Sequence, residues 1–386
     1  MIMELIHIIG IGVTECIRGL YHRKFDTLSF WNKCMRTNII YTKFFQSLAL
    51  NYEIHVEINH IPYEESELLY PTNIQVSKVI GAGLISIVFD GVLDSGERVV
   101  VKTKRKNIEQ RITNSLNTLY RLITWINWFI PLPCLIDAYH EVTDNFKTQS
   151  NFVVEYNNHQ RYYEMFKDCE YIKVPQLYPS ECTEERIVME KLEGISLYDL
   201  TPAQKEKCTS WLSKMIVQCL VHHGFVHADL HAGNIMFNDT YIGIIDFGFM
   251  VSMSKEEAQT ISLLFKEFAM ENFKEAAKHT MKFIERSDTL SREEQEDVQD
   301  FIIHTYQKAT VVDKLFSIYD ILHIMKKIRR YQLHISPVFY NMGVGLISIE
   351  NVLTHLSKTS SDFITGAIIE VLSIQIEDSE RHKHGK

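Results

Sequence analysis

Between residues 74 and 105 apolar and polar positions alternate in three short runs. The stretch "IQVSKVIGAGLISIVFDGVLDSGERVVVKTKR" is rich in Val and Ile and is broken by a glycine-punctuated turn and by "DSGE". A period of two fits one buried face of a sheet, so the pattern predicts strand, glycine loop, strand, turn, strand. On either side the period becomes helical. Before it, "WNKCMRTNIIYTKFFQSLALNYE" has helical spacing and little strand character. After it, "KNIEQRITNSLNTLYRLITWINWF" is helical until "IPLP" stops it, and "NFVVEYNNHQRYYEMFKD" predicts another helix. "ERIVMEKLEG" reads as a strand running into a glycine. Pro202 opens a long amphipathic helix that ends at Gly224. "YIGIIDFGF" predicts a short strand, and helices follow nearly to the end, most clearly over "SREEQEDVQDFIIHTYQKATVVDKLFSIYDILHIMKKIRR".

The elements imply an α+β fold in four parts. They are a helical N-terminal extension over 1–70, a small strand-rich lobe over 71–192 with inserted helices, a larger helical lobe over 193–370, and a solvated tail over 371–386. "HIPYEESELLYP", with two prolines and an acidic cluster, is the natural linker after the extension. Composition adds constraints. An apolar fraction of 46% with 23% charged residues is that of a folded chain. A formal charge of -9 argues against a nucleic-acid partner, whose footprint is usually basic. Seven scattered cysteines without C-x-x-C read as reduced thiols in a cytosol-like compartment.

The start, "MIMELIHIIGIGVTECIRGLYHRK", is apolar and then basic, the wrong order for a signal peptide. It predicts an amphipathic helix that packs on the body of the protein or touches a membrane peripherally. No apolar run approaches the roughly 20 residues that spanning needs, and no Arg-rich, acid-poor leader supports mitochondrial import.

The densest chemistry is in "GFVHADLHAGNIMF". A zinc site would want three or four converging nitrogen or sulfur ligands, and H-E-x-x-H is absent. Asp229 and Asn234 are hard oxygen donors, suited to magnesium beside phosphate oxygens. A second carboxylate, Asp246, follows four apolar residues in "IGIIDFGF", at the end of a buried strand with Gly248 freeing the turn. The three together fit phosphoryl transfer: Asp229 orients or deprotonates an acceptor hydroxyl, and Asn234 and Asp246 hold the metal. Turn residues alone would account for any one of them. His227 reads as a prop for the loop, and His231 as either support or phosphate contact.

The strand-rich lobe supplies a second half. In "GAGLISIV", Gly81, Ala82 and Gly83 form a loop whose backbone N–H groups can approach phosphates, with Val88 beyond it. "VVVK" ends in Lys102, whose charge on an apolar strand is costly unless paired or bound to phosphate. Glu155 is the candidate partner, with Glu141 and Glu164 as fallbacks. "RIVMEKLEG" can offer backbone around Glu190 to Leu192 to an adenine, with Met189 lining the pocket; a plain edge strand would look similar.

These residues resemble the UbiB/ADCK family of atypical protein-kinase-like proteins over roughly residues 35–365. The resemblance rests on "HADLHAGN", "DFG", "VVVK" and "NFVVE", which is similar to the family's D-F/Y-x-x-E helix. Lys43 to Gln46 resembles the K-x-G-Q element, and "LISIENVLTHLSKTSSDF" the closing helix-loop pattern. Membership implies a bilobal kinase-like fold that binds ATP with Mg2+, an extension lying across the site where a protein kinase holds peptide, and Lys43 and Gln46 pointing at the nucleotide. It also implies a role in quinone or other lipid metabolism, often at membranes. Phe45 replaces the motif glycine, Asn151 replaces the acid ahead of Glu155, and "GAGL" stands where the family is alanine-rich. Glycines relieve the crowding that methyl groups impose there, so more ordinary nucleotide binding, with autophosphorylation, is expected.

No proline lies between Pro202 and Pro337, so no A-P-E segment follows "DFG", and only a short stretch precedes the next helical run. A small-molecule or lipid acceptor therefore fits better than a peptide. The expectation is an atypical kinase or ATPase. Two alternatives stay open: a small-molecule phosphotransferase of the aminoglycoside or choline kinase type, and a largely non-catalytic nucleotide-binding regulator of lipid or quinone metabolism.

Overall fold

The computed structural model describes residues 63–129, 150–311 and 318–356, together with positions 10, 14, 136, 139, 140, 143 and 146. Secondary structure is mixed α and β, and the chain divides into two compact units. One comprises Met1–Tyr156 with Gln176–Lys191, the other Asn157–Pro175 with Leu192–Lys386. Residues 157–175, inside the stretch that the sequence assigns to the strand-rich lobe, thus group with the second unit.

The first unit is built on an antiparallel sheet. β1 (Gln75–Ala82), β2 (Ser86–Val92) and β3 (Arg98–Lys104) follow as consecutive hairpins, with Gly96 at φ 87° turning the second. β5 (Arg186–Glu190) completes the order β1–β2–β3–β5, while the intervening β4 (Ile172–Lys173) belongs to the second unit. The period of two sorts β3 by face. Val99 and Val101 join Ile87, Phe89 and Val188 in one buried cluster with Leu68 and Ile74. Val100 turns the other way, toward Phe152, Leu177, Ile187 and Met189, and Lys102 shares its face by the pleat.

Two helices with described bounds bear on this unit's sheet. α1 (Ile108–Phe129) buries Ile108, Ile112, Leu116, Leu119 and Ile123 at helical spacing. α2 (Phe152–Phe166) crosses the boundary between the units and buries Phe152, Glu155, His159, Tyr162 and Phe166 along one stripe. Asn151 caps it: its Oδ1 accepts the N–H groups of Val153 and Val154 at 3.0 and 3.3 Å. Asn and Asp cap equally well, so the departure at this position leaves the helix start intact.

The second unit is mainly helical. Thr201 and Gln204 form a capping box that starts α3 (Pro202–Val217). The α-helix stops before the Gly224 end that its sequence suggests. Gln218–His223 form a π-helical turn, and Gly224 ends it at φ 54°, where a Cβ would also lie 3.1 Å from the Met253 carbonyl. Four short strands follow: β6 (Phe225–His227), β7 (Ile235–Phe237), β8 (Ile242–Ile244) and β9 (Met250–Ser252). β6 pairs with β9, β7 with β8, and β4 lies parallel to β8. α4 (Lys255–Ala269), capped by Ser254 and Glu257, then leads to α5 (Phe273–Met281) and α6 (Arg292–Val311). α7 (Ile318–Ile328), between β10 (Ile284–Glu285) and its antiparallel partner β11 (His334–Ile335), precedes α8 (Pro337–Leu356). Leu212, Ile244, Ile261, Ile302, Phe339 and Met342 are among the fully buried residues of one core. Among the described residues, no helix is long and apolar enough to cross a membrane.

Candidate functional site

Strand register assembles the candidates of the first unit. Gly81 stands opposite Val88, and Val88 opposite Lys102, so the three form one cross-strand row. Lys102 and Glu155 meet at 2.5 Å, with side chains 9% and 4% exposed. The pleat points Lys102 to the face that α2 covers, and Glu155 lies one turn after Phe152 on the stripe facing it. The ammonium also lies 5.8 Å from the Phe152 ring centre. The fallback Glu164 instead pairs with Lys167, and Glu141 lies outside the described residues.

The glycine turn has an unusual economy. Neither Gly81 nor Gly83 has a left-handed φ, and a Cβ at either would make only ordinary contacts, at 3.5 Å to Val88 and 3.6 Å to Ser86. The fold itself therefore does not demand these glycines. The Gly83 N–H donates to the Ser86 carbonyl at 2.9 Å, closing the hairpin. Around Met189, which is buried, the Glu190 N–H donates to the Gln176 carbonyl at 2.8 Å and the Lys191 N–H to Arg98 at 3.4 Å. Leu192, the next residue, already belongs to the second unit.

In the second unit the two strand pairings lay two loops side by side. β6 leads into residues 228–234 and β9 out of 245–249, so the His227–Met250 and Ile235–Ile244 registers pin both loops at both ends. Asp229 and Asn234 lie on the first loop, Asp246 on the second. The Ala228 N–H donates to Phe249 at 3.0 Å and the Ile245 N–H to Asn234 at 3.1 Å. Asn234 Nδ2 donates to the Asp229 carbonyl at 2.8 Å, so its Oδ1, the atom a cation takes, is not the one spent within the loop. Asp246 Oδ1 accepts the Gly248 N–H at 2.9 Å.

His227 ties the loops together. Its Nε2 donates to the Asp246 carbonyl at 2.7 Å, and its Nδ1 accepts the Asp229 N–H at 3.0 Å. Both nitrogens are used by a neutral ring, and His227 is 2% exposed. Burial pushes its pKa below the ordinary imidazole value, against the upward pull of Asp246 and Asp229. His231 is exposed, and its Nδ1 accepts the Gly233 N–H at 3.1 Å. Phe247 is buried against His159 and Tyr162, at 4.3 and 5.2 Å between ring centres. Among the described residues no three His, Cys, Asp or Glu side chains converge as a metal cluster. One amide and one carboxylate are a donor set suited to magnesium, which keeps most of its shell for water and phosphate.

With this geometry in hand, the comparison with known families is specific. The model of the ABC1 atypical kinase-like domain matches residues 75–280, just over half the chain, and runs from β1 to α5. The chain belongs to the ABC1 atypical kinase-like family. This is the UbiB/ADCK family domain. A relative from Clostridium pasteurianum, described as an uncharacterized protein in the hydrogenase 1 5' region, is 29% identical over 218 residues. These make up 53% of this chain but 40% of that protein, so the ABC1 chain spans well under two thirds of its relative's length. The complex structure of Rv3197-erythromycin from Mycobacterium tuberculosis has a TM-score of 0.50 and 16% identity, covering 74% of this chain and 73% of that one. At that identity the likeness shows the fold alone.

Lys43 and Gln46, with Phe45, lie outside the described residues. Two residues bearing on this ABC1 site escape sequence reasoning. Arg105, 2% exposed, donates from Nε and Nη2 to the Gly83 carbonyl at 3.0 and 2.8 Å. Gly345 lets α8 press on the loop: a Cβ there would stand 2.9 Å from Ala228 Cα and 3.0 Å from the His227 carbonyl. An interior helix glycine is the only signal for the second, and a third basic residue after Lys102 and Lys104 the only one for the first.

Proposed function

We propose that the chain binds ATP with magnesium and passes the terminal phosphoryl group to water or to a hydroxyl of a small molecule or lipid. The observation that carries this reading is the loop pair in the second unit. Asp229, Asn234 and Asp246 lie on adjacent loops cross-tied by one neutral histidine. Such rigid placement of oxygen donors is what phosphoryl transfer asks of a protein, since most of the catalysis is positioning and electrostatics. When bound, magnesium supplies the positive charge that offsets the charge of the transferring group. Asn234 Oδ1 and the Asp246 carboxylate would hold it. Asp229 orients the acceptor hydroxyl or takes its proton, from a backbone fixed at both its N–H and its carbonyl.

The first unit supports the same reading. A buried ion pair is weak evidence for stability, because apolar residues of equal volume serve as well. The buried Lys102–Glu155 pair then calls for another reason, and phosphate is the usual ligand of a lysine so placed. Gly81 and Gly83, which the fold does not require, open the backbone beside them to phosphate oxygens. The short stretch after Asp246 bears on the acceptor: α4 already begins at Lys255, which leaves little chain for a peptide-docking segment. Erythromycin, present in the complex with the Mycobacterium protein, is a reason to include macrolides in an acceptor panel.

Incubating the protein with labelled Mg-ATP and a panel of hydroxylated lipids, amino alcohols and macrolides tests the reading. Label transfer or phosphate release that Asp229→Asn abolishes is expected. Turnover that is equal in the variant rules out Asp229, and none in the wild type leaves the regulator reading in its place.

A further inference from the structure

The tip of the β1–β2 hairpin is tied to the residue that follows β3. The Gly83 N–H donates to Ser86, the Arg105 N–H donates to the Ile85 carbonyl at 2.8 Å, and the Arg105 side chain donates twice to the Gly83 carbonyl. The third guanidinium nitrogen, Nη1, pairs with one carboxylate oxygen of Glu67, whose other oxygen pairs with Arg111. The Arg105 side chain is 1% exposed and that of Glu67 14%. A peptide unit is planar and trans, so its carbonyl and the following N–H point in opposite directions. Holding the Gly83 carbonyl therefore fixes the direction of the Leu84 N–H. With the Gly83 N–H spent on closing the hairpin, Leu84 carries the next backbone donor in the turn.

We propose that Arg105, held by Glu67, is a positioning residue for the nucleotide phosphates, acting through the Gly83–Leu84 peptide. This rests on the nucleotide reading above. Leu84 and Ile85 anchor the far side of the turn by burial, but Gly83 has no side chain of its own to fix its peptide, and the arginine clamp does so from outside. The planar fork of arginine suits this role, because two N–H groups converge on one carbonyl while a third reaches the carboxylate. A lysine ammonium on a flexible stem does not reproduce that geometry. Glu67 also connects the clamp to the segment that precedes β1, through the Lys106 N–H donating to the Glu67 carbonyl at 2.9 Å.

The test uses the full chain, with Arg105→Lys as the main variant and Glu67→Gln as a milder one that leaves the guanidinium in place. Amide exchange at Gly83, whose N–H is bonded to the Ser86 carbonyl at the clamped tip, reads the clamp itself when measured without nucleotide. It is expected to quicken about tenfold in Arg105→Lys, as charge-assisted bonds are lost, and less in Glu67→Gln. Titration with Mg-ATP and with adenosine reads its use. Mg-ATP affinity is expected to fall about tenfold with adenosine affinity unchanged, a split that general unfolding of the unit would not give. Unchanged exchange at Gly83, or equal losses for both ligands, would overturn the inference. A wild type that binds neither ligand would overturn the nucleotide reading, and this inference with it.

Discussion

His227 is charged with holding two loops in register, and its titration should show it. The perturbation is His227→Gln, uncharged at every pH, compared with the wild type without nucleotide or metal. In the folded chain burial lowers the imidazole pKa, while Asp246 and Asp229 pull it up and His231 pushes it down. The unfolded ring titrates near its ordinary value, about 6.5. As pH falls below that value, the unfolded state takes up the proton first. Stability from this group is therefore fully present above about pH 6.5 and is lost as pH falls toward the depressed folded value. One proton gives a slope of at most about 1.4 kcal/mol per pH unit. The geometry gives the cause: a proton on Nδ1 would face the Asp229 N–H, 3.0 Å away, and strip that buried donor of its acceptor. Losing a buried hydrogen-bond partner costs about 1–3 kcal/mol, which bounds the total. Denaturant unfolding at pH 7.5, 6.5 and 5.5 measures this. His223 and His279, whose pKa values burial also lowers, are present in both proteins and cancel in the difference. The wild type should lose stability on acidification more steeply than the variant. Parallel profiles, or a wild type that gains stability in acid, would mean that the carboxylates outweigh burial and that the reasoning is wrong.

Other outcomes follow from packing. Gly345→Ala brings carbon within 2.9 Å of Ala228 Cα, where about 3.5–4.0 Å is normal. Overpacking of about 1–3 kcal/mol, offset by about 1 kcal/mol of helix propensity, should leave a modest stability loss. Phosphate release should fall far more, toward the hundredfold that about 1 Å of misplacement can cost; a raised Tm with full turnover would show that α8 does not set the loop. Gly81→Ala and Gly83→Ala should unfold at or slightly above the wild-type temperature, since neither Cβ meets an obstacle, while Mg-ATP affinity changes. A loss of stability beyond about 1 kcal/mol would show that the fold, rather than a ligand, demands those glycines.

Much of the arrangement is legible in the chain because it is local or periodic. Alternation in "RVVVKTK" sets Lys102 apart from Val99 and Val101, and the helical stripe Phe152, Glu155, His159 turns one carboxylate the same way as the residues it packs among. The strand read in "YIGIIDFGF" is legible because its apolar residues Ile242 and Ile244 are buried on a small sheet. Other features depend on what the fold brings close. Nothing near Arg105 in sequence announces that its fork closes on a carbonyl more than one hairpin earlier. Gly345 is far along the chain from the loop it accommodates, and the π-helical turn before Gly224 has the same apolar periodicity as the α-helix it ends. Asn151 is a different case: it stands out against the family motif, yet as a cap it performs the service an aspartate would.

The central claim is magnesium-dependent nucleotide binding through Asp246, and thermal unfolding with ATP, with and without magnesium, tests it most directly. A ligand at a hundred times its Kd stabilises the folded state by about 2.7 kcal/mol. The account predicts a rise in Tm for the wild type with Mg-ATP, a smaller one with ATP alone, and no magnesium dependence in Asp246→Asn. No shift in the wild type, or the same magnesium-dependent shift in both proteins, would contradict it.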